Sequence, residues 1–275
     1  MTRGEYLKYA TDFLKSASIE TARLDSLILM EFVLDTDRAK ILSDKDIDLS
    51  DNQQNVLNKL LVKRSKHIPI SHITNNAEFY GRNFFINSHV LEPRPESETM
   101  IDLLKELIRN DPGLSTSKSI LIADIGTGSG ALGITAMLEL GNVHCDLIDI
   151  DDKALKVAKN NVVSHTIVTN TIKGDLLNSN NHNYRVLLCN LPYVPDDFSI
   201  NLAAGHEPKI AIFGGKDGLD VYRKLFKLMK YRQHKPLYIL TEALPTQHAK
   251  LKHIASEAGY SLTKSDDFIQ LYATE

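Results

Sequence analysis

The sequence predicts an α/β protein in which a small helical domain precedes a doubly wound sheet. Apolar residues recur at helical spacing through the first 70 or so residues, and no strand pattern interrupts them. Two short extended runs follow, split by Gly81-Arg82. From Ser119 onward, apolar strand-like runs alternate with helical segments, a pattern typical of a parallel sheet covered on both faces.

The composition is that of an ordinary globular protein. Of the 275 residues, 43% are hydrophobic, which argues against disorder, and the length suits one large domain or two small ones. No apolar run reaches the roughly 20 residues that span a bilayer. The chain begins in an amphipathic pattern rather than in an apolar signal core. We therefore expect a cytoplasmic protein that makes no membrane contact.

The charge balance argues against a general nucleic-acid binder, and the cysteines and histidines argue against disulfides and a metal site. The chain has 32 Lys and Arg against 35 Asp and Glu, whereas a general binder of nucleic-acid phosphates normally has a basic excess. Cys145 and Cys189 lie in apolar, strand-like runs, which predicts buried, reduced thiols. The histidines lack metal-ligand spacing, so we expect no metal site.

Three helices are predicted in the N-terminal region. The first has Tyr6, Ala10 and Leu14 on one face, and the others span Ala22 to Leu34 and Asn55 to Arg64. Their simplest packing is a small bundle.

The pattern changes near Pro69. Extended runs are predicted at His72 to Thr74, Glu78 to Tyr80 and Asn83 to Ile86, and the last two suggest a β-hairpin. Two prolines, at 93 and 95, exclude a continuing helix before the helix that is predicted from Ser97 to Ile108.

The remaining elements alternate along the chain. Strands are predicted at Ser119 to Asp124, Val143 to Asp149, just before Gly174, Arg185 to Asn190, Pro236 to Glu242 and Phe268 to Ala273. Helices are predicted at Gly130 to Leu140, Lys153 to Val163, Leu219 to Met229 and Gln247 to Gly259.

A glycine-rich turn links the first of these strands to its helix. Glycines let the backbone approach a ligand closely, and a helix N-terminus offers free N–H groups. Asp149 lies nineteen residues after Gly130 at the end of the next strand, where an acid can accept both ribose hydroxyls of a nucleoside. The loop also fits the dinucleotide pattern G-x-G-x-x-A. Asp124 just before it favours S-adenosyl-L-methionine, because a pyrophosphate disfavours a neighbouring acid while an ammonium tolerates one.

The spelling D-x-G-x-G-x-G resembles the first motif of class I S-adenosylmethionine-dependent methyltransferases. In that family an acid after the third strand commonly meets the adenine amino group, and Asp175 holds the corresponding position. The expected cofactor-binding residues are Asp124, Gly126, Thr127, Gly128, Ser129, Gly130, Asp149, Asp175, Leu176 and Asn190.

The fourth strand ends in Asn190-Leu191-Pro192-Tyr193, which matches the [N/D/S]-x-P-[Y/F] motif of methyltransferases that modify a planar nitrogen. The lone pair of such a nitrogen is delocalised, so two fixed acceptors are needed to take its N–H bonds and aim it at the methyl carbon. The Asn190 side-chain oxygen and the Leu191 carbonyl are the expected acceptors. Pro192 stiffens the turn, and Tyr193 packs on the planar substrate group. These four residues are the predicted catalytic and substrate-binding set.

Further motifs resemble the PrmC (HemK) family of release-factor glutamine methyltransferases over nearly the whole chain. They are Thr21 to Asp25, His67 to Thr74, Glu78 to Tyr80, Leu91 to Glu98, Glu207-Pro208 and Gly214 to Leu219. The resemblance implies a Rossmann-like seven-stranded sheet of the class I methyltransferase type, joined by the β-hairpin to a small N-terminal helical domain. It also implies methylation of the side-chain amide nitrogen of glutamine in the Gly-Gly-Gln loop of class 1 peptide-chain release factors.

The corresponding domain boundaries are a helical bundle at 1–74 that helps hold the release factor, a hairpin linker at 75–92 and a methyltransferase domain at 93–275. We expect a monomer that uses S-adenosyl-L-methionine, releases S-adenosyl-L-homocysteine and does not bind nucleic acid directly. The sequence departs from the family where Leu191 replaces a proline, where Asn75 replaces a glycine, and at Thr241 to Pro245. The C-terminal strand also lacks the family's usual arginine.

Two other functions remain open at this stage, and a third lacks the residues that it would need. Asn-Leu-Pro-Tyr is also the spelling in rRNA adenine methyltransferases, which hold an extruded adenine with the same acceptors. A non-catalytic release-factor-binding module is favoured if Leu191 or Leu244 disables the site. A nicotinamide-dependent dehydrogenase would need a hydride-site histidine or lysine, and none is evident.

Overall fold

A computed structural model describes residues 1–178 and 181–274, which form two compact units. The first unit comprises Met1–Asn76 and Ile200–His206, and the second begins at Ala77 and holds the remaining described residues. Thus the β-hairpin belongs to the second unit. Within the described residues, no helix is both long and apolar enough to cross a membrane.

The first unit is a helical bundle with its own apolar core. Side chains such as Tyr6, Leu14, Met30 and Leu57 are almost completely buried in it. Its helices are α1 (Arg3–Ser16), α2 (Ala22–Leu34), α3 (Arg38–Ser43), α4 (Asp51–Ser65) and α5 (Ile70–Thr74).

Local signals explain where these helices begin. Thr2 caps α1 and Ser50 caps α4, each in a reciprocal capping box with the residue three positions on.

Inside the bundle, the buried carboxylate of Asp25 accepts hydrogen bonds from Arg64 Nε (2.7 Å) and Thr21 Oγ1 (2.8 Å), so helices α2 and α4 are also joined by an ion pair.

The extended run predicted at His72 to Thr74 is wrong, because these residues lie in α5. Pro69 precedes the helix in extended backbone, and Asn75 closes it in the left-handed region at φ 54°. Burial of Ile73 in the bundle core stabilises this single turn, a tertiary effect that three residues of local pattern do not reveal.

The predicted hairpin is confirmed. Strands β1 (Asn76–Phe79) and β2 (Arg82–Phe85) pair as a two-stranded sheet. Tyr80 and Gly81 have φ of 52° and 69°, as a two-residue turn between twisted strands requires.

A seven-stranded sheet forms the centre of the second unit, with strand order β5-β4-β3-β6-β7-β9-β8. Its strands are β3 (Ile120–Ile125), β4 (Val143–Asp149), β5 (Thr171–Lys173), β6 (Val186–Cys189), β7 (Tyr238–Glu242), β8 (Tyr260–Asp266) and β9 (Ile269–Thr274). The first five are parallel, whereas β9 is antiparallel to both β7 and β8.

The sheet is therefore parallel across β5-β4-β3-β6-β7 and becomes antiparallel at its C-terminal edge. Strand β8 is not among the predicted strands, since its exposed residues include Ser261, Thr263 and Asp266 and it lacks a continuous apolar run. A tight connection at Asp267 (φ 47°) then reverses the chain into β9, and so short a link permits only antiparallel pairing.

Helices cover both faces of this sheet. They are α6 (Glu98–Asn110), α7 (Pro112–Ser115), α8 (Ala131–Glu139), α9 (Asp152–Ser164), α10 (Lys209–Ile212), α11 (Asp220–Tyr231) and α12 (His248–Ser256). Along β6, Val186 and Leu188 join one apolar cluster and Leu187 and Cys189 join the other, so both faces of the strand are buried. Cys145 and Cys189 are buried free thiols as predicted, and burial raises the pKa of both.

Strand order locates the crevice where a ligand is expected. The chain passes from β3 to β4 on one side and later returns to β6 on the other side of β3. Crossovers that leave a strand in opposite directions open a crevice at its carboxyl end. The Gly126 loop and Asn190 both lie at that edge of the sheet.

A substitution at Gly133 tests how tightly α8 packs on the sheet. A Cβ there would lie 2.4 Å from Leu147 Cδ2 and 2.8 Å from Cys145 Sγ. We expect Gly133→Ala to lower the free energy of unfolding by about 1–3 kcal/mol, because overpacking outweighs the gain in helix propensity. The measurement is urea unfolding followed by circular dichroism. Gly141→Ala is the matched control, since a Cβ at Gly141 meets nothing within 4 Å; equal stability of the two variants would contradict the prediction.

Candidate active site

A cavity of about 340 Å³ opens at the carboxyl ends of β3, β4 and β6. It brings together three groups of sequence-predicted residues: the glycine loop with its acids, the Asp175 turn and the Asn190 segment. The predicted residues that line it are Asp124, Gly126, Thr127, Gly128, Ser129, Asp149, Asp175, Leu176, Asn190, Leu191 and Pro192.

The glycine loop turns through the left-handed region three times. Gly126, Gly128 and Gly130 have φ of 71°, 54° and 83°, values that favour glycine at each position. The N–H groups of Gly126 and Thr127 both donate to the carbonyl of Ile148, at 2.8 and 3.0 Å. The loop is thereby held against the end of β4.

Asp124 lies beneath this loop with its carboxylate buried. Its Oδ2 accepts a hydrogen bond from Thr127 Oγ1 at 2.5 Å and another from the Gly133 N–H at 3.0 Å. Burial nevertheless dominates and raises the pKa of Asp124 to about 6. Near neutral pH the site thus contains a charge that is costly to bury.

Asp149 and Asp175 complete the acidic wall. Asp149 accepts from the Gly128 N–H at 2.9 Å through Oδ2 and from the Asp151 N–H at 2.9 Å through Oδ1, and burial raises its pKa. Asp175 is paired with Lys224, which also lines the cavity. Consequently the carboxylates at this wall already have partners that hold them in place.

The Asn190 side chain is held from behind by a buried serine. Asn190 Nδ2 donates to Ser97 Oγ at 2.9 Å, and Ser97 Oγ donates to Glu242 Oε2 at 2.6 Å. The hydroxyl of Tyr193 donates to the other oxygen of the same carboxylate at 3.0 Å. Burial raises the pKa of Glu242, against these hydrogen bonds, and also raises that of Tyr193.

A second glycine-containing loop supports the Asn190 segment from its far side. The Gly214 N–H donates to the Val194 carbonyl at 2.9 Å, and Gln247 Nε2 donates to the Tyr193 carbonyl at 2.7 Å. A Cβ at Gly218 would lie 2.0 Å from that same Tyr193 carbonyl oxygen. The Gly214 to Leu219 run therefore packs backbone against backbone.

Glu207 braces the segment before α6. Its buried carboxylate accepts from Arg94 Nη2 at 2.5 Å and from the Glu92 N–H at 3.0 Å, while burial raises its pKa. Two motifs of the resemblance, 91–98 and 207–208, are thus connected through one charged group.

Two predicted site residues do not line the cavity. Gly130 precedes α8, and its N–H donates to the Thr127 carbonyl at 2.8 Å. Tyr193 is turned to Glu242. Conversely, the predicted sites omitted Ser97, Glu242 and Gln247. Two of them carried a usable signal. Ser97 lies within the Leu91 to Glu98 motif, and Glu242 is an acid at the carboxyl end of a buried parallel strand.

The residues of the cavity fit S-adenosyl-L-methionine. The fit rests on a loop that approaches without side chains, the buried Asp149 beside it and the apolar surface of Leu132, Ile150 and Leu176. Within the described residues, no group of three or more His, Cys, Asp or Glu is arranged to hold a metal ion.

Comparison with known proteins identifies the family. The family model of the PrmC N-terminal domain matches residues 5–74, and that of the methyltransferase small domain matches residues 100–207. The chain is 35% identical over 231 residues to the release factor glutamine methyltransferase of Bacillus anthracis, covering 81% of this chain and 79% of that protein. The chain belongs to the release factor glutamine methyltransferase family.

Other relatives agree. A release factor glutamine methyltransferase of Bacillus cereus is 32% identical, covering 92% of this chain and 90% of that protein. One from Coxiella burnetii is 31% identical, with 88% and 86% covered. The resemblance inferred from motifs is therefore confirmed.

Solved structures support the methyltransferase fold. The catalytic domain of hMettl16, in complex with the MAT2A 3′UTR hairpin 6, is similar with a TM-score of 0.54 at 16% identity, covering 78% of this chain and 81% of that one. A methyltransferase from Pyrococcus furiosus has a TM-score of 0.51 at 15% identity, covering 82% and 96%. The predicted Rossmann-like seven-stranded fold is confirmed.

Two of the departures from the family pattern are accommodated by the fold. Leu191 is buried, and its N–H lies 3.4 Å from the Tyr222 hydroxyl, a hydrogen bond that proline could not make. In the 241–245 run, Glu242 keeps the acid, while Ala243 follows it as a buried residue.

Asp124→Asn tests the cost of the buried charge. When folding raises the pKa of an acid, the protein loses stability as the pH rises from the unfolded-state pKa to the folded-state pKa. With a pKa of about 6 against the ordinary 3.8, the variant should be more stable than the wild type at pH 7.5 by up to about 3 kcal/mol. That difference should shrink as the pH falls toward 5.

Urea unfolding of both proteins across this pH range is the measurement. In parallel, calorimetric titration should show that S-adenosylhomocysteine binds the variant more weakly, by about tenfold or more. The reason is that the ammonium group of the ligand is expected to lose the Asp124 carboxylate as its partner. A stability difference that does not change with pH would argue against a buried, titrating Asp124.

Proposed function

We propose that this protein transfers a methyl group to the side-chain amide nitrogen (N5) of the glutamine in the Gly-Gly-Gln loop of class 1 peptide-chain release factors. The observation that carries the proposal is a shared cavity. Asn190, Leu191 and Pro192 line the same volume as the glycine loop, Asp124 and Asp149. An acceptor pair for a planar N–H group and a nucleoside-binding wall therefore face each other.

In this proposal the glutamine amide is methylated directly, without a metal or a side-chain nucleophile. Its nitrogen has two N–H bonds and a delocalised lone pair. The Asn190 Oδ1 and the Leu191 carbonyl accept those two N–H bonds and orient the nitrogen. Holding the reacting atoms in one geometry supplies much of the rate. Tyr193 anchors the end of the turn through its hydrogen bond to Glu242, and Pro192 limits movement of the turn.

The remaining site residues hold S-adenosyl-L-methionine, which supplies an activated methyl group when bound. We assign Asp149 to the ribose hydroxyls, Asp175 with Leu176 to the adenine side, and Asp124 to the ammonium end. Gly126, Thr127, Gly128 and Ser129 form the backbone surface between them, Gly130 lies behind them at the start of α8, and Asn190 borders the reacting end.

Each part of the chain has a task in this proposal. Residues 1–74 hold the release factor, residues 75–92 are the linker, and residues 93–275 carry out the transfer. The amide nitrogen gains the methyl group and releases one proton to water, and S-adenosyl-L-homocysteine is left as the second product. In this proposal the protein acts as a monomer in the cytoplasm.

A labelling experiment separates this function from its alternatives. The protein is incubated with methyl-labelled S-adenosylmethionine and, in separate reactions, a class 1 release factor, the same factor with the loop Gln→Asn change, and rRNA. We expect label in the unmodified release factor alone, because the shorter asparagine places its amide a methylene away from the acceptors. Label in rRNA and not in the release factor would overturn the proposal. Release-factor binding without label would favour the non-catalytic module.

Asn190→Ala tests the acceptor pair. The variant should lower kcat by about 100-fold or more, because a transition-state acceptor is lost. Its affinity for S-adenosylhomocysteine should stay within about threefold of the wild type. Steady-state labelling and calorimetry are the measurements. Asn110→Ala, at an exposed position at the end of α6, is the control. Normal turnover by Asn190→Ala would refute the acceptor mechanism.

A further inference from the structure

We propose that Ser97 and Glu242 are positioning residues that hold the Asn190 amide with its oxygen directed at the substrate. This inference deepens the proposed function and rests on it for the identity of the substrate. Neither side chain needs to touch the reacting atoms. Their effect is exerted through the orientation of one amide group.

The three side chains form a continuous chain of hydrogen bonds. Asn190 Nδ2 lies 2.9 Å from Ser97 Oγ, which lies 2.6 Å from Glu242 Oε2. Ser97 and Glu242 are 2% and 1% exposed, so water has little access to substitute for either partner. Asn190 is only partly buried and borders the cavity.

When the Glu242 carboxylate is ionised, the series of hydrogen bonds from Asn190 through Ser97 to Glu242 has a single donor-to-acceptor direction. A carboxylate only accepts hydrogen bonds, so the Ser97 hydroxyl must donate its one proton to Glu242. The Ser97 oxygen then has only lone pairs left for Asn190, and only the NH₂ end of the amide can satisfy them. If the Asn190 amide were turned end for end, its oxygen would face the Ser97 oxygen with no hydrogen between the two acceptors. The amide oxygen is therefore free to face the cavity.

A second donor fixes the carboxylate itself. Tyr193 Oη donates to Glu242 Oε1 at 3.0 Å, so each carboxylate oxygen has a hydroxyl partner. At the main chain of Glu242, the Tyr222 hydroxyl lies 2.6 Å from the carbonyl oxygen and 3.3 Å from the N–H. Glu242, which ends this series of hydrogen bonds, is thus held through both its side chain and its backbone.

Protonation of Glu242 would remove this direction, since a carboxylic acid can donate to Ser97. The titratable groups that face Glu242 in the described structure are Tyr193, Tyr222 and Glu96. Burial raises the pKa of Glu242, and the charge of Glu96 adds to the increase. The orienting form is the ionised one, so orientation is lost as the pH falls through this raised pKa.

Three variants test the proposal. Ser97→Ala and Glu242→Gln should each lower kcat by roughly 10- to 100-fold, because a misdirected acceptor weakens near-attack geometry. Both should keep S-adenosylhomocysteine affinity within about threefold and KM for the release factor within about threefold. Ser97→Thr retains the hydroxyl and should restore most of kcat. Thr135→Val, which removes another fully buried hydroxyl of the second unit, is the matched control and should leave kcat unchanged.

The pH profile separates positioning from a purely structural role. The low-pH limb of kcat that arises from Glu242 should disappear in Glu242→Gln. Asp124 also titrates, with a pKa of about 6, so the limb assigned to Glu242 must persist in Asp124→Asn. Normal kcat in Ser97→Ala, or equal losses in Ser97→Ala and Ser97→Thr, would overturn the proposal.

A readout without turnover keeps this result independent of the substrate. In side-chain amide NMR, the Asn190 NH₂ signals are assigned by their loss in Asn190→Asp. We expect slow exchange with water in the wild type and Ser97→Thr, and faster exchange in Ser97→Ala. Unchanged exchange in Ser97→Ala would refute the inference even if the release factor is labelled. Failure of labelling in the wild type, with the exchange result as expected, would instead refute the proposed function.

Discussion

The site depends on close backbone packing around the segment from Asn190 to Tyr193. On one side a Cβ at Gly126 would lie 3.1 Å from the Leu191 side chain, and on the other a Cβ at Gly214 would lie 2.3 Å from the Pro192 carbonyl oxygen. Neither loop could approach so closely with side chains at these positions. Because the segment is confined in this way, the Leu191 carbonyl and the Asn190 amide can be presented to the cavity in one fixed arrangement. The parallel strands β3 and β6 supply the common edge from which this packing begins.

Around this confined segment, the protein keeps several carboxylates out of water. Asp124, Asp149, Glu207 and Glu242 are all buried, and burial raises the pKa of each. Buried acids reduce stability unless donors surround them, and here each has at least two. The charges at Asp124 and Asp149 border the proposed cofactor position, whereas those at Glu207 and Glu242 join distant parts of the chain. Stability is thus given up where function needs a charge, and hydrogen bonds limit the loss.

Much of the fold followed from local pattern, because burial on one helix face or both strand faces imposes a period on the sequence. This is why helix α2 and the strands β3, β4 and β6 match their predicted ranges to within a few residues. Prediction failed where tertiary contacts outweighed local preference. The residues His72 to Thr74 became helical because Ile73 is buried in the bundle, and β8 formed because β9 offered it a partner in spite of its polar residues. The antiparallel edge is a property of the connection and has no periodic signature.

The sequence by itself determined the family and predicted the residues of the site, since each predicted loop combines its residues over a short span. The D-x-G-x-G-x-G loop and the Asn190 to Tyr193 segment each carry their meaning within a few positions. Only the tertiary structure decided which residues support them. Ser97 and Glu242 are 145 residues apart in the chain yet share a hydrogen bond of 2.6 Å, and Asn190 contacts Ser97 across 93 residues. Chain separation leaves no periodic or spacing signal for such a pair. Ser97 lies just before α6, whereas Asn190 and Glu242 lie at the carboxyl ends of the neighbouring parallel strands β6 and β7. The tertiary fold brings these side chains together, and burial then makes their hydrogen bonds directional.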